Sequence, residues 1–343
     1  MLYFKAEANS TVGGGHLHRC LALAKKCSVF GLDAEFIFSN STPDFIQRVS
    51  DAGFKTHPIN EQQWNSIEVY KKIIPEHSIL VFDTDDIKYY SKELNETFNK
   101  NKIKTACYTI TDQYEIWNDI IINPNIMALS HEYKTKPGAI KLLGPEYMVF
   151  RDEFKGTTPN PKNTGAKKNI LISFGNADVS GLTSYILPLL EGLEELINRC
   201  MVIIGPLNKD SRTIKEIVAS YDSMPIDIYE DVKDMIPLYK ATDLAITSGG
   251  MGMWEMSLYE IKQLVIASSP REVSYVSHMD ELGYIKKLGT FDQLPGKAEC
   301  QSIIRQAIQE NSTTFNLRKF RETVDPDGAE RVVKMLKDVL LSF

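Results

Sequence analysis

The residues best suited to chemistry cluster at Thr11-Val12-Gly13-Gly14-Gly15-His16-Leu17-His18-Arg19-Cys20, between a short apolar segment and the start of a helical pattern. Glycine admits positive φ and lets a ligand come close to the backbone, while the first turn of a helix offers unpaired N–H groups and a partial positive charge to an anion. His16 stands where such a ligand would lie, and an imidazole is the side chain best suited to take a proton near neutral pH. A dinucleotide fingerprint is the first competing reading. It would need a third spaced glycine and an acid about twenty residues on, and it does not fit well. The second is a tight structural turn with a packing histidine beside it.

Two further turns carry glycine after apolar runs: Ser173-Phe174-Gly175-Asn176-Ala177-Asp178 and Thr247-Ser248-Gly249-Gly250-Met251-Gly252-Met253-Trp254-Glu255. In the latter the amides of Gly249, Gly250 and Met251 can donate to a diphosphate, and Glu255 can hold the two hydroxyls of a ribose. A plain glycine turn with an acid that stabilises the helix start explains the same residues. Asp83, Asp85 and Asp86 form a tight acidic cluster. A magnesium site there competes with a strand-end cap and solvated turn, and the lack of a histidine close in sequence favours the cap. Trp254 either stacks on a ligand or packs helix against sheet, and His18 reads as a surface or supporting residue. His278, with Arg271 and Glu272 nearby, either borders phosphates or belongs to a solvated helix start.

Positioning such turns requires strands that end in them. Apolar runs at Leu2–Ala6, Ala34–Ser39, Ile79–Asp83, Lys104–Ile110 and Asp119–Asn123 alternate with helical patterns, one from about Leu17 to Phe30. A second set follows at Asn169–Ser173, Cys200–Ile204, Ile226–Tyr229, Leu244–Thr247 and Gln263–Ile266, with helices expected at Leu182–Ile197, Asp231–Lys240 and Gly252–Ile261. This alternation predicts an α/β protein of two Rossmann-like domains built on parallel sheets, the strand ends of both facing a central cleft. The polar stretch from Lys155 to Gly165 is the natural linker, which gives domains 1–155 and 166–343, with the last helix able to pack back on the first.

Composition narrows the class. A chain of 343 residues, 43% hydrophobic and 24% charged with a formal charge of −6, is globular and acidic. It lacks the basic, aromatic-interleaved surface of a nucleic-acid binder. Cys20, Cys27, Cys107, Cys200 and Cys300 are scattered and odd in number, as expected for reduced, buried thiols of the cytoplasm. The start shows no apolar signal segment, and no apolar run is long enough to insert in a membrane.

The glycine–histidine run Gly13–Leu21 resembles a known family. So do Leu143-Gly144-Pro145-Glu146-Tyr147 with Arg151-Asp152-Glu153-Phe154, Ile172–Asp178, Ser248–Glu255 and Asp327-Gly328-Ala329-Glu330-Arg331-Val332. The family is that of the hydrolases which release the sugar from UDP-2,4-diacetamido-2,4,6-trideoxy-altropyranose in pseudaminic acid biosynthesis, with related spore-coat polysaccharide proteins. The resemblance spans nearly the whole chain. It implies the type B glycosyltransferase fold, a UDP-linked amino sugar as ligand, and neither cofactor nor metal. It also implies that His16 is the general base for a water attacking the anomeric carbon, so that UDP leaves with inversion. By the same resemblance Glu7, Gly13, Gly14, Gly15, Asp85 and Arg151 bind the sugar, and Gly175, Ser248, Gly249, Gly250, Met251, Glu255 and Arg271 bind the nucleotide.

Three departures bear on the substrate. Lys5-Ala6-Glu7 stands where the family has Arg-x-Asp, Asp83-Thr84-Asp85 where it has Asp-His-Tyr, and Arg271-Glu272 where it has Asn-Gln. Asp85 in place of a phenol changes both charge and hydrogen-bond polarity beside the base. A different sugar, an inverting glycosyltransferase that takes an alcohol in place of water, and a non-catalytic sugar-nucleotide-binding subunit are the alternatives.

Overall fold

Short runs of Ile, Val, Leu and Phe pair in parallel when each is followed by enough chain to cross over as a helix, and both faces of such a sheet are then covered. The computed structural model describes residues 1–9, 14–39, 41–60, 66–84, 86–222, 224–310 and 314–343. They divide into two units, Met1–Lys155 with Asp325–Phe343, and Gly156–Val324.

The first unit runs β1 (Leu2–Ala6), α1 (Gly15–Val29), β2 (Ala34–Phe38), α2 (Pro43–Asp51), β3 (Lys55–Pro58), α3 (Ile67–Ile73), β4 (Ser78–Asp83), α4 (Lys92–Lys100), β5 (Ile103–Tyr108), β6 (Ile120–Asn123) and β7 (Ile140–Leu143). Its sheet has the order β3-β2-β1-β4-β5-β6-β7, parallel throughout. Every residue of β1 and β4 is buried, as central strands of a covered sheet must be. Tyr3, Leu80, Phe82, Phe98 and Ile121 pack together on one of its faces.

The second unit runs β8 (Lys168–Ser173), α5 (Leu182–Ile186), β9 (Ile197–Ile204), α6 (Ser211–Ala219), β10 (Ile226–Glu230), α7 (Ile236–Ala241), β11 (Leu244–Ser248), α8 (Met251–Ser257), β12 (Lys262–Ala267), α9 (Pro270–Glu281), β13 (Lys286–Thr290), α10 (Lys297–Gln309) and α11 (Leu317–Thr323). Its parallel sheet has the order β10-β9-β8-β11-β12-β13. All five cysteines are buried and free. Among the described residues no helix is long and apolar enough to cross a membrane.

Several elements differ from expectation for local reasons. Three of the four edge strands, β3, β7 and β13, fall outside the expected runs; an edge has one strand neighbour and tolerates polar side chains, as at β3, where Lys55-Thr56-His57-Pro58 is half-exposed. The helix expected over Leu182–Ile197 stops at Ile186. Pro188 lacks the amide a helix interior needs and Gly192 takes φ +75°, so the chain continues as 3₁₀ turns at Leu187–Leu190 and Glu194–Leu196. The helix expected from Asp231 begins only at Ile236. The stretch expected as a linker is tied to the second unit: Asn160 donates from its amide to the Tyr259 carbonyl (2.9 Å) and from its side chain to the Tyr239 carbonyl (2.8 Å).

The last helix, α12 (Gly328–Leu341), belongs to the first unit and packs on α1. Its start is pressed against backbone. A Cβ on Gly328 would lie 2.1 Å from the Met148 carbonyl oxygen and 2.9 Å from that of Glu146. Gly328→Ala should therefore cost about 1–3 kcal/mol of stability, since backbone rather than a flexible side chain must move. Urea unfolding checks this, and an unchanged midpoint would mean the helix start yields freely.

Candidate functional site

In an open parallel sheet the two crossovers that leave adjacent strands at the reversal of strand order go to opposite faces, which opens a crevice outside the strands' carboxyl ends. In the first unit the reversal falls between β1 and β4, whose last residues Ala6 and Asp83 are register partners. The chain leaves β1 through the glycine run and enters α1 at Gly14, whose carbonyl accepts the His18 amide at 3.0 Å. Gly15 and His16 form its first turn. Gly13 and Asp85, both expected at the site, lie outside the described residues.

Asp83 is completely buried and receives three charged or polar partners from α1. Its Oδ1 lies 2.6 Å from His16 Nδ1 and accepts from Arg19 Nη2, also at 2.6 Å. Its Oδ2 accepts from Arg19 Nε at 2.7 Å and from the Cys20 thiol at 3.5 Å. The spacing explains the convergence: positions three and four apart share a helix face, so His16, Arg19 and Cys20 all meet one carboxylate. The Arg19 guanidinium is also stacked over the Tyr108 ring, 4.4 Å from its centroid. Burial by itself pushes the Asp83 carboxyl up, but Arg19 and His16 outweigh it and hold the group well below the usual carboxylate range. An ionised Asp83 can only accept, so Nδ1 of a neutral His16 carries the proton and Nε2 is its basic atom. The reading of this acid as part of a solvated strand-end turn is thus corrected. Asp86 is a cap, accepting the Lys88 amide at 3.0 Å.

Glu7, just beyond β1, accepts from Lys5 Nζ at 3.2 Å. Lys5 has no exposed surface, and desolvation outweighs the attraction of Glu7 to lower its pKa to about 7. Gly14 and Gly15 therefore stand beside His16, and Glu7 is held by Lys5. Arg151 engages its own neighbours, Glu153 at 2.7 Å and the Phe154 ring at 5.0 Å.

In the second unit the reversal falls between β8 and β11, and the two glycine turns follow those strands. Gly175 takes φ +78° in the first of them, where Asp178 caps α5 by accepting the Leu182 and Thr183 amides at 2.8 and 2.9 Å. Ser248 ends β11, Gly250 is the N-cap of α8 and Met251 its first residue. The Gly249 amide is engaged inside the protein. It donates to Glu272 Oε2 at 3.0 Å, while the Ser268 amide and hydroxyl donate to the same carboxylate at 2.7 and 2.9 Å. Burial raises the Glu272 pKa. A Cβ on Gly249 would lie 2.8 Å from Val276 and 2.9 Å from the Tyr275 hydroxyl, so no larger residue fits there. Glu255 accepts the Tyr239 hydroxyl at 2.8 Å. Arg271 lies at the start of α9. Trp254 is buried edge-on against Phe320 at 5.6 Å, which is packing, and His278 faces Glu281 at 3.6 Å on α9.

Sequence reasoning passed over Asp83 and Arg19 as partners of His16, and Glu272 as the group that ties two turns together. A usable signal existed for Arg19, three residues after His16 on one helix face. None existed for Asp83, because its pairing depends on β1 and β4 being neighbours.

No family model matches the chain. It is 28% identical over 277 residues to an uncharacterized protein of Methanocaldococcus jannaschii, across 76% of this chain and 54% of that one. It is 21% identical over 198 residues to the spore coat polysaccharide biosynthesis protein SpsG of Bacillus subtilis, across 57% of this chain and 58% of that one. The matches thus span little more than half the length of these relatives. Among solved structures, MnaA of Staphylococcus aureus in complex with UDP aligns with a TM-score of 0.67 at 16% identity, covering 100% of this chain and 97% of that one. MurG of Acinetobacter baumannii aligns with a TM-score of 0.64 at 14% identity, covering 98% of this chain and all 100% of the other. The two parallel-sheet α/β domains, of seven and six strands, are those of the type B glycosyltransferase fold.

The buried Lys5 gives the fold a pH dependence of definite sign. Below about pH 7 it is charged whether folded or unfolded, and the cost of burying that charge is complete. As pH rises from about 7 toward the ordinary lysine value of 10.5, the folded chain releases this proton first and stability increases. Lys5→Met should therefore raise the melting temperature more at about pH 6 than at about pH 10. Scanning calorimetry at both values decides it, and equal gains would contradict a charged Lys5 in the interior.

Proposed function

We propose that the protein is a sugar-nucleotide hydrolase that cleaves the anomeric C–O bond of a UDP-linked diacetamido-trideoxy sugar, in the assembly of a pseudaminic-acid-like surface glycan. The observation that carries this reading is His16 in the first turn of α1, with Nδ1 fixed at 2.6 Å on a buried, ionised Asp83. That arrangement prepares Nε2 to take a proton and stabilises the imidazolium that results, the division of labour of a histidine–aspartate pair. A water oxygen attacks the anomeric carbon as its proton passes to Nε2. The bond to the diphosphate oxygen breaks with its electron pair, the anomeric centre inverts, and UDP departs.

The second unit supplies the nucleotide side in this reading. Amides of Gly250 and Met251 and the Ser248 hydroxyl face the leaving diphosphate, and Glu255, oriented by Tyr239, takes the ribose hydroxyls. The Gly249 amide drops out of that set because Glu272 holds it. Gly175 and Arg271 flank the nucleotide, and Glu7, Gly13, Gly14, Gly15, Asp85 and Arg151 contact the sugar. The likeness to a spore coat polysaccharide biosynthesis protein and to a structure containing UDP supports the substrate class.

Incubation with a panel of UDP-linked diacetamido and N-acetyl hexoses, with and without chelator, should yield UDP and free sugar in equal amounts. His16→Ala should lower turnover by about a hundredfold or more while UDP affinity changes little. Tight UDP binding with no release, even when acceptor alcohols are supplied, would leave a binding subunit instead. Release only in the presence of an acceptor would make it a glycosyltransferase.

A further inference from the structure

Arg19 does more at Asp83 than neutralise a buried charge. Its Nη2 lies 2.6 Å from the same Oδ1 that faces His16 Nδ1, and 3.5 Å from Nδ1 itself. Its Nε holds the other carboxylate oxygen at 2.7 Å. Stacking on Tyr108 at 4.4 Å keeps the guanidinium against a buried wall. One oxygen thus serves two cations whenever His16 is protonated, and the guanidinium stands as a like charge beside the imidazolium.

We infer that Arg19 is a positioning residue that sets the base strength of His16, by fixing the Asp83 carboxylate with both arms of its fork and by opposing the charge that His16 acquires. Two effects follow from one side chain. The fork aims Oδ1 at Nδ1, which fixes the tautomer with Nε2 basic. The opposing charge weakens the proton's hold on Nε2, so the base is ready at a lower pH than Asp83 alone would allow. The consequence for turnover rests on His16 being the base, but the electrostatic coupling exists with or without a substrate.

Other ionisable groups face this pair. Cys20 comes from α1, Lys5 from β1, Tyr90 from the 3₁₀ turn after β4, and Tyr108 from β5. Burial pushes Cys20, Tyr90 and Tyr108 up, so all three remain neutral through the range in which an imidazole titrates. Lys5 is the exception, brought down to about 7 by burial. A pH–rate profile alone would therefore mix two titrations, and the imidazole must be read directly.

The test is an NMR titration of the full chain with labelled histidine, the His16 resonance being assigned by its loss in His16→Gln. In Arg19→Met the His16 midpoint should rise by about one unit, a tenfold gain in proton affinity, and the acid limb of kcat/KM should move the same way. Arg19→Gln, which keeps a donor toward Asp83 but no charge, should show the same rise and serves if the methionine variant does not fold. Arg19→Lys should restore the parent midpoint while lowering kcat, because one ammonium cannot reproduce the fork. A midpoint unmoved in both uncharged variants would overturn the inference, whatever turnover does. A shifted midpoint in a protein that hydrolyses no UDP-sugar would sustain the coupling and remove only the hydrolase reading.

Discussion

An ionised carboxylate with no exposed surface, set at the end of a central strand, is costly unless every oxygen is matched, and Asp83 is such a group. The match comes entirely from one turn and a half of α1. Docking α1 in any other rotation would leave the charge unpaired, so the ion fixes both where the helix begins and which face it turns to the sheet. A single interaction thereby holds the fold at the reversal of strand order and presents an imidazole there.

The second unit answers the same topological problem with a different device. Next to its reversal of strand order the half-buried acid Glu272, on α9, has as partners amides and a hydroxyl of two neighbouring turns rather than cations. A carboxylate satisfied by backbone N–H groups ties the turns after β11 and β12 into one rigid piece, and Tyr275 locks it further by donating to the Gly249 carbonyl at 2.7 Å. The Gly249 amide is thereby committed inside the protein. The Glu272 side chain thus completes the turn after β11 from within the protein.

What could be read in advance follows from how local each feature is. The central strands announce themselves as continuous apolar runs because they are covered on both faces, and the alternation with helices dictates parallel pairing. Gly13–His16 is legible because a glycine run before a helix has few uses. The edge strand β3 is not, since Lys55–Pro58 lacks an apolar pattern altogether. Nor is the break at Pro188 and Gly192, where a helical period continues through residues that cannot sustain the helix. Asp83 was visible as an acid, but its role depends on a register partner 77 positions away, Ala6, and on a helix that begins between them. Long-range pairing of that kind leaves no trace in spacing.

Charge pairing at the carboxyl end of the first sheet has a consequence for what can bind there. Lys5 is matched with Glu7, Asp83 with Arg19, and Asp86 with Lys88 at 2.8 Å. Each of these three described acids has a base within reach, and the pairs add no net charge beside His16 while Lys5 is protonated. Cations already paired in this way, Lys5 being wholly buried, have little charge left to offer a phosphate. The imidazole stands among those pairs with Nδ1 already committed to Asp83, so a proton that His16 takes up goes to Nε2 and creates a charge that Asp83 is placed to meet.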